Sequence, residues 1–269
     1  MRKLKNFGAY VILTIVSLIS VFPLYWMIAA STNNSTDILG GRLIFGTHLM
    51  KNLEKLLAEQ NVGRAFLNSL FYSCILSLLS LIVCSIAGYG FEIYHDRAKD
   101  RLMSVLLLAM MVPFAATLIP LFKLFTGMHL QSTWIAYVLP TISTPFLIML
   151  FRQSARSFPL EIIEAARIDG LSELRIFATI FVPTMKSTYA AAMTVTFMNA
   201  WNNYLWPKVI MMSGTSQTMP MLVANLSVGY SIDYGVLMLG VLICSLPTGI
   251  LFLILQRSFA NGIVGAVKG

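Results

Sequence analysis

The chain has 269 residues, of which 57% are hydrophobic and only 11% are charged, and its mean hydropathy is +0.77. Water-soluble domains carry about 25% charged residues, so this composition argues against a water-soluble globular protein and does not support a disordered one. The net charge of +8 comes from basic residues dispersed among apolar runs, without the basic face or stacking motif of a nucleic-acid-binding protein, so the sequence predicts an integral membrane protein.

Six runs of about 20 residues lack Asp, Glu, Lys and Arg, which is the length needed to cross a hydrocarbon core about 30 Å thick. Because no run alternates like a barrel strand, each is predicted to be a helix. The predicted fold is an all-α polytopic membrane protein in which residues 1–269 form one transmembrane domain. Its spans are residues 9–30, 66–91, 102–122, 132–151, 187–206 and 234–256.

The first run follows Met-Arg-Lys-Leu-Lys, which resembles the start of a secretory signal. Its 22 residues exceed the apolar length of about 7 to 15 that is usual in such signals, which favours an uncleaved anchor. Cytoplasmic loops are enriched in Lys and Arg, so the more basic side is predicted to be cytoplasmic, with both termini there. That side carries thirteen basic residues, namely Arg2, Lys3, Lys5, Arg97, Lys99, Arg101, Arg152, Arg156, Arg167, Arg175, Lys186, Arg257 and Lys268. The other side carries six, namely Arg42, Lys51, Lys55, Arg64, Lys123 and Lys208.

The longest predicted cytoplasmic loop, residues 152–186, contains two short helical patterns. Pro159 suits a first helical position and Gly170 suits the left-handed residue after a helix end, which predicts a helix over about 159–169. Ser172 is a suitable cap for a second helix, which Pro183 is expected to stop.

Leu160, Ile163 and Ala166 form an apolar stripe on the first of these helices, and we expect the stripe to need a partner surface. An amphipathic helix on lipid headgroups is the alternative, but Glu161 and Glu164 favour a protein partner over an anionic membrane.

The same loop carries a specific motif. Glu164-Ala165-Ala166 is followed, after three residues, by Gly170, which Asp169 directly precedes. Ile180 comes after nine more residues, and Pro183 follows it. This spacing resembles the EAA motif of ATP-binding-cassette importer permeases, with Val182 where that family commonly has Leu. The resemblance implies that the loop is the coupling helix, which sits in a groove of a separate ATPase subunit.

Other stretches resemble the carbohydrate permeases of maltose type with a short N-terminus. They are Trp201-Asn202-Asn203-Tyr204-Leu205-Trp206-Pro207, then Gln217-Thr218-Met219-Pro220, and the glycine-containing tail that follows Gln256. Relatives often have an acidic residue where this chain has Asn203, so a role for that carboxylate does not carry over. The resemblance covers essentially the whole chain. It implies the type I importer permease fold and a place in the bacterial cytoplasmic membrane.

The chain has no Gly-x4-Gly-Lys-Ser/Thr cradle, so it is not expected to bind ATP in the P-loop manner or to be an enzyme. No catalytic residue, metal site or cofactor is predicted, because His48, His95 and His129 lie far apart in sequence. The family implies that ATP and Mg²⁺ are used by a partner, in an assembly of a second homologous permease, two ATP-binding subunits and an extracytoplasmic sugar-binding protein.

A polar and aromatic face on the fifth span is the candidate substrate pathway. Thr196, Asn199, Asn203 and Trp206 recur at spacings of three, four and three, which suits hydrogen bonds to hydroxyls and stacking on sugar rings. Helix packing through interhelical hydrogen bonds is the alternative. A stripe of small residues on the second span is expected to pack against another helix, and it consists of Ser69, Ser73, Ser77, Ser80, Cys84 and Gly88.

Six prolines within the spans are expected to bend them and could help to form a cavity, namely Pro23, Pro113, Pro120, Pro140, Pro145 and Pro247.

The predicted function is translocation of a sugar or oligosaccharide by alternating access, driven by ATP hydrolysis in another subunit. The alternatives are an importer permease for another small solute, such as glycerol phosphate, or an ion-coupled secondary carrier. All six predicted spans lack the carboxylates that carriers use to couple ions. In the predicted pathway only Lys123 is a candidate to meet an anion.

Overall fold

The computed structural model describes residues 2–267, and it describes the side-chain surroundings of residue 8 and residues 10–256. The regular structure in this part of the chain is helical throughout. The helices form two compact units. The first contains residues up to 66 together with 219–246, and the second contains residues 67–218 together with those from 247 onward.

The first unit begins with a long helix and includes short helices between the first two predicted spans. Its elements are α1 (Arg2–Ser31), α2 (Ser35–Leu39), α3 (Leu49–Glu59), the start of α4 (Val62–Ile93), α14 (Met219–Leu226) and most of the apolar part of α15 (Tyr234–Val267).

Buried amides hold the first unit together. The Asn52 amide donates to the carbonyls of Ser31 at 2.8 Å and Asn33 at 3.0 Å, and the Asn33 amide donates to that of Ile44 at 2.9 Å. A Cβ on Gly235 would lie 2.5 Å from the Asn33 carbonyl, so this packing requires glycine there. At the start of α15, Asp233 pairs with Lys55 of α3 at 2.7 Å.

The second unit contains the remaining helices, several of them short. They are α5 (Arg97–Ala109), α6 (Phe114–Gly127), α7 (Trp134–Val138) with a 3₁₀ turn over Leu139–Thr141, α8 (Pro145–Arg156), α9 (Leu160–Ile168), α10 (Glu173–Ile176), a π-helical turn over Phe177–Phe181, α11 (Val182–Thr184), α12 (Lys186–Trp201), α13 (Leu205–Ile210) and a 3₁₀ turn over Gly214–Ser216.

Three helices in the described part of the chain are long and apolar enough to cross a membrane, namely Tyr10–Ser31, Val62–Ile93 and Tyr234–Gln256. They coincide with the first, second and sixth predicted spans. Two further candidates are bent pairs, α5 with α6 at 97° and the segment Trp134–Thr141 with α8 at 55°, at the third and fourth predicted spans.

Three of the predicted spans are therefore not single helices, and prolines explain the interruptions. Proline has no amide hydrogen and its ring clashes with the carbonyl four residues earlier. Accordingly α5 ends at Ala109, four residues before Pro113, and the turn after α7 ends at Thr141, four residues before Pro145.

The fifth predicted span, 187–206, is interrupted for the same reason. Helix α12 ends after 16 residues at Trp201, and α13 begins at Leu205 with Pro207 in its first turn. Not every proline breaks its helix, however. Pro23, Pro120 and Pro247 lie inside helices that remain continuous, whereas Pro113 and Pro145 lie at breaks, where the expected bend is observed.

The small-residue stripe on α4 is a packing face in the second unit. All its side chains are buried, and a Cβ on Gly88 would lie 2.6 Å from Cβ of Phe151 on α8. Glycine at this position therefore allows the backbone of α4 to contact the side chain of Phe151 on α8.

Some predictions concern residues outside this description. The side chains of Arg2, Lys3, Lys5 and Arg257, the whole of Lys268, and the tail side chains after Gln256 lie outside the described residues.

Candidate functional site

The three interrupted spans of the second unit converge on one cavity. The breaks are at 110–113, 142–144 and 202–204, and each brings a residue at or beside it to the cavity wall. The cavity has a volume of about 430 Å³, within the range of small-molecule sites. Its lining consists of Leu76, Ser80, Phe114, Thr141, Thr144, Phe146, Leu147, Val195, Thr196, Asn199, Ala200 and Asn203.

The lining is uncharged and combines polar with apolar side chains. Among these residues are hydroxyls and amides next to two phenylalanine rings, and none is Asp, Glu, Lys or Arg. The hydroxyls of Ser80 and Thr141 are buried and have no hydrogen-bond partner among the described residues. A buried hydroxyl without a partner costs free energy, so a ligand or water that bonds to it is favoured. The cavity is therefore suited to a neutral solute with hydroxyl groups.

Three of the four residues predicted for the substrate pathway lie in this lining: Thr196, Asn199 and Asn203. Trp206 does not. It is fully buried, its indole Nε1 donates to the Ala136 carbonyl at 2.9 Å, and its ring meets Phe125 edge-on at 5.8 Å. The helical spacing that grouped Trp206 with the other three residues does not continue past the break at 202–204. Trp206 instead packs against neighbouring helices.

Sequence reasoning missed several lining residues. Ser80 belongs to the small-residue stripe and was assigned to packing, although it also belongs to the cavity lining. Phe114 and Phe146 each follow a proline that starts a helix, at Pro113 and Pro145. A proline followed directly by an aromatic residue was the available signal for both.

The coupling segment, residues 152–186, begins as the sequence indicates. Pro159 is the N-cap residue of α9, and Gly170 has a φ of +80°, the left-handed conformation that glycine adopts without steric cost. Arg167 at the end of α9 pairs with Glu173 at the start of α10 at 2.6 Å. The hydrogen bond from Arg167, supported by one from Tyr94, holds the pKa of Glu173 below its ordinary value.

Most of the apolar stripe of α9 is covered by other residues of this chain, although we expected another protein to cover it. Ile163 and Ala166 are buried in a cluster with Tyr89 of α4 and with Ala155 and Phe158 at the end of α8. Only Leu160 of the predicted stripe remains exposed. The stripe packs inside this chain because α9 folds back onto the ends of α4 and α8.

A different face of the coupling segment is uncovered. Ile168 is 87% exposed and Leu174 is 73% exposed, and Leu160 and Ile162 also face outward. Among the motif residues, Glu164, Ala165, Asp169, Gly170 and Pro183 are exposed, Ile180 is half-buried and Ala166 is buried. Contiguous exposed apolar patches that are rimmed by polar residues are typical of protein-docking surfaces.

The second helix of the segment differs from its prediction. Pro183 does not stop it; the chain passes from α10 through the π-helical turn into α11 and breaks only at Met185. Within this path the Val182 amide donates to the Phe177 carbonyl five residues earlier. The wider π turn accommodates a proline that cannot donate to its own helix.

Residues 85–265 match the family model described as "Binding-protein-dependent transport system inner membrane component". The chain is 42% identical over 267 residues to the lactose transport system permease protein LacG of Rhizobium radiobacter, covering 99% of this chain and 98% of that protein. It is 33% identical to the arabinooligosaccharides transport system permease protein AraQ of Bacillus subtilis (strain 168), covering 94% of this chain and 92% of the relative.

A more distant similarity, 26% identity over 92% of each chain, is to the sn-glycerol-3-phosphate transport system permease protein UgpE of Escherichia coli (strain K12). Among solved structures, a bacterial ABC transporter involved in the import of the acidic polysaccharide alginate matches with a TM-score of 0.84. That match covers 96% of this chain and 97% of the other at 18% identity, and it shows a common fold.

Proposed function

The chain belongs to the family of binding-protein-dependent transport system inner membrane components, and we propose that it translocates a neutral sugar or oligosaccharide. It is a non-catalytic, multi-pass permease of the cytoplasmic membrane in an ATP-binding-cassette importer. The proposal of a neutral sugar rests chiefly on one observation, the uncharged cavity in which the hydroxyls of Ser80 and Thr141 lack partners.

Two further findings support a sugar. The lactose and arabinooligosaccharide permeases are relatives at 42% and 33% identity, whereas the glycerol-phosphate permease is a relative at 26%. A phosphate ester would be expected to meet Lys or Arg in its binding cavity, and none lines this one in the described part of the chain. Asn199 and Asn203 instead offer amides to hydroxyls, and Phe114 and Phe146 offer rings to the apolar faces of a sugar.

We propose six spans, with both termini in the cytoplasm. The α5–α6 and α7–α8 pairs would each count as one interrupted span. A helix of 16 residues rises only about 24 Å, so α12 would need α13 to complete a fifth crossing. Interrupted spans around a solute site are a recurring arrangement in transporters, and the excess of Lys and Arg on one side supports the orientation.

The exposed aliphatic face of the coupling segment would dock in a groove of the ATPase subunit. Ile168 and Leu174 would supply the apolar contact, and Gly170 would fix the turn between them. The assembly would contain a second homologous permease, two ATP-binding subunits and an extracytoplasmic sugar-binding protein. ATP and Mg²⁺ would be bound by the ATPase subunits.

Reconstitution of the four kinds of subunit in proteoliposomes tests this function. With ATP at the ATPase subunits and sugar loaded on the binding protein, we expect labelled lactose or an arabino-oligosaccharide to accumulate on the ATPase side, and glycerol 3-phosphate not to. Accumulation that needs no ATP and stops when the proton or sodium gradient collapses would establish the ion-coupled carrier instead.

The same preparation tests the docking face. Replacing Ile168 by Asp places a charge in the proposed contact, and we expect the ATPase subunits to bind at least roughly tenfold more weakly, since charges buried without partners are costly. Leu39→Asp is the matched control, because Leu39 is also largely exposed but lies in the first unit. Equal ATPase binding by the two variants would contradict the assignment of this face.

A further inference from the structure

A partly buried arginine joins three helices at the start of the coupling segment. On α8, Arg152 Nε donates to Glu92 Oε2 at 3.1 Å and its terminal NH₂ group donates to Asp100 Oδ1 at 2.6 Å. Glu92 lies in the last turn of α4 and Asp100 in the first turn of α5. One guanidinium thus connects α8 to both α4 and α5.

The surroundings make the bond between Arg152 and Glu92 stronger than a surface ion pair, whereas the side chain of Asp100 is 46% exposed. The side chains of Arg152 and Glu92 are 13% and 15% exposed. A guanidinium presents its donors in a rigid fork, so it holds two carboxylates in fixed directions, which a lysine does not. Removing one partner would leave a charge poorly solvated, which is far more costly than losing an exposed pair.

Glu92 occupies a position that helix electrostatics disfavour. The C-terminal end of a helix carries a partial negative charge, so a carboxylate in the last turn of α4 is destabilising unless a cation lies close. Arg152 supplies that cation, with Arg156 more distant at 3.5 Å. A residue that contradicts a local rule and is compensated by a tertiary contact is often functional.

The bonds of Arg152 to Glu92 and Asp100, called here the arginine bridge, lie next in sequence to residues of the buried cluster that α9 packs against. One turn before Glu92, Gly88 touches Phe151 of α8, and Tyr89 belongs to the buried cluster with Ile163 and Ala166 of α9. Ala155 and Phe158, which follow Arg152 on the α8 side, belong to that cluster too. A displacement of α9 therefore presses on the ends of α4 and α8 together.

We propose that Arg152 is a positioning residue for transport: it makes the ends of α4, α5 and α8 move as one body when α9 is displaced. The inference rests on the proposed function, in which α9 is moved by the ATPase. Without the bridge, α4 and α8 retain their apolar contacts with α9 but slide against each other. The displacement is then absorbed locally and ATP is hydrolysed without moving the sugar.

The test is the number of sugar molecules transported per ATP hydrolysed by the complete reconstituted importer. We expect Arg152→Gln to lower this ratio roughly three- to tenfold, which lies within the range for changes in a coupling network, while hydrolysis continues. The double variant Glu92→Gln with Arg152→Gln removes both buried charges, leaves Asp100 hydrated, and should give a similar loss.

Arg156→Gln is the matched control. Arg156 is also an arginine of α8 next to Glu92, but it is 62% exposed and 3.5 Å away. Its loss should change the ratio by less than about twofold, as for an exposed pair. Arg152→Lys, which keeps the charge but not the fork, should give an intermediate ratio.

The outcomes separate the two proposals. If the wild-type importer shows no ATP-driven accumulation, the proposed function fails. If wild type accumulates sugar and both bridge variants keep its ratio, the role of Arg152 fails. If neither bridge variant assembles, the bridge serves folding, and the positioning role is likewise overturned.

Discussion

The cavity and the coupling segment belong to the same unit, and they differ in which atoms they leave without partners. In the cavity lining, the buried hydroxyls of Ser80 and Thr141 have no hydrogen-bond partner within the part of the chain that the structure describes. The coupling segment presents apolar atoms to the outside, foremost Ile168 and Leu174. Each deficit suits the partner that we propose for it, a hydroxylated solute in the first case and an apolar protein groove in the second.

The two regions also differ in how their backbones are held. The coupling segment uses local devices, since Pro159 begins α9 and Gly170 ends it within eleven residues. The cavity depends on interruptions in spans that are far apart in sequence. Its shape should therefore respond to changes at the breaks that leave the coupling segment unaffected.

The largest effect is expected from Pro145→Ala. Alanine restores an amide hydrogen and removes the clash of the proline ring with the Thr141 carbonyl. A continuous helix through residue 145 therefore becomes about 3 kcal/mol more favourable. If α7 and α8 join, Thr144 and Phe146 leave the cavity, and sugar transport should fall more than roughly tenfold. ATPase binding to the purified permease should be unchanged.

Pro120→Ala is the control for that experiment, because Pro120 lies inside the continuous helix α6. It should leave transport near the wild-type rate. Should both proline variants transport normally, the breaks are held by packing alone and the proposed role of proline chemistry at the cavity is wrong.

A smaller effect is expected from replacing Asn199 and Asn203 by Ala. Each amide is expected to contribute one hydrogen bond to the sugar, worth about 0.7 kcal/mol, so the loss of both should lower transport at low sugar concentration roughly tenfold. Assembly of the importer, followed by size-exclusion chromatography, should not change. Asn202→Ala is the matched control, since Asn202 is exposed and outside the cavity lining.

Loss of assembly in the Asn199/Asn203 variant, with normal transport by whatever complex forms, would assign these amides to helix packing. In that case the two amides would form hydrogen bonds between helices and would not bind the sugar.

The smallest effect is expected at Gly170. An alanine there must adopt a φ of +80°, which costs about 1 kcal/mol, so Gly170→Ala should lower thermal stability slightly and weaken ATPase binding severalfold. Gly90→Ala is matched to it, because a Cβ meets no atom within 4 Å at either glycine and only Gly170 has a positive φ. Equal ATPase affinity in both variants would show that the turn at Gly170 does not shape the docking face.

Much of the coupling segment is predictable because its determinants are local. Helix α9 spans Leu160–Ile168 where the sequence indicated about 159–169, and the left-handed residue is Gly170 as expected. One error concerned the stripe containing Ile163 and Ala166, and another concerned Pro183, which does not end the second helix. Periodicity shows that a helix face is apolar, but it does not show whether that face meets another subunit or, as here, Tyr89 and Phe158 of the same chain.

The cavity was predictable only in part. A helical spacing correctly grouped Thr196, Asn199 and Asn203, but it failed at Trp206 because Pro207 and the preceding break change the direction of the chain. The only sequence feature that points to the arginine bridge is Glu92, an acidic residue directly after an apolar run. Its partner, sixty residues further along, was counted only as a cytoplasmic basic residue.

The sequence by itself determined that the chain is a helical membrane protein, that the short helix α9 lies between Pro159 and Gly170, and that one loop resembles the EAA motif of importer permeases. These properties depend on composition and on residues within about four positions of each other. The tertiary structure alone decided that three breaks meet at one cavity, that Trp206 bonds to a carbonyl 70 residues away, and that Arg152 joins three helices. Such contacts follow from the packing of distant segments, which no local pattern specifies.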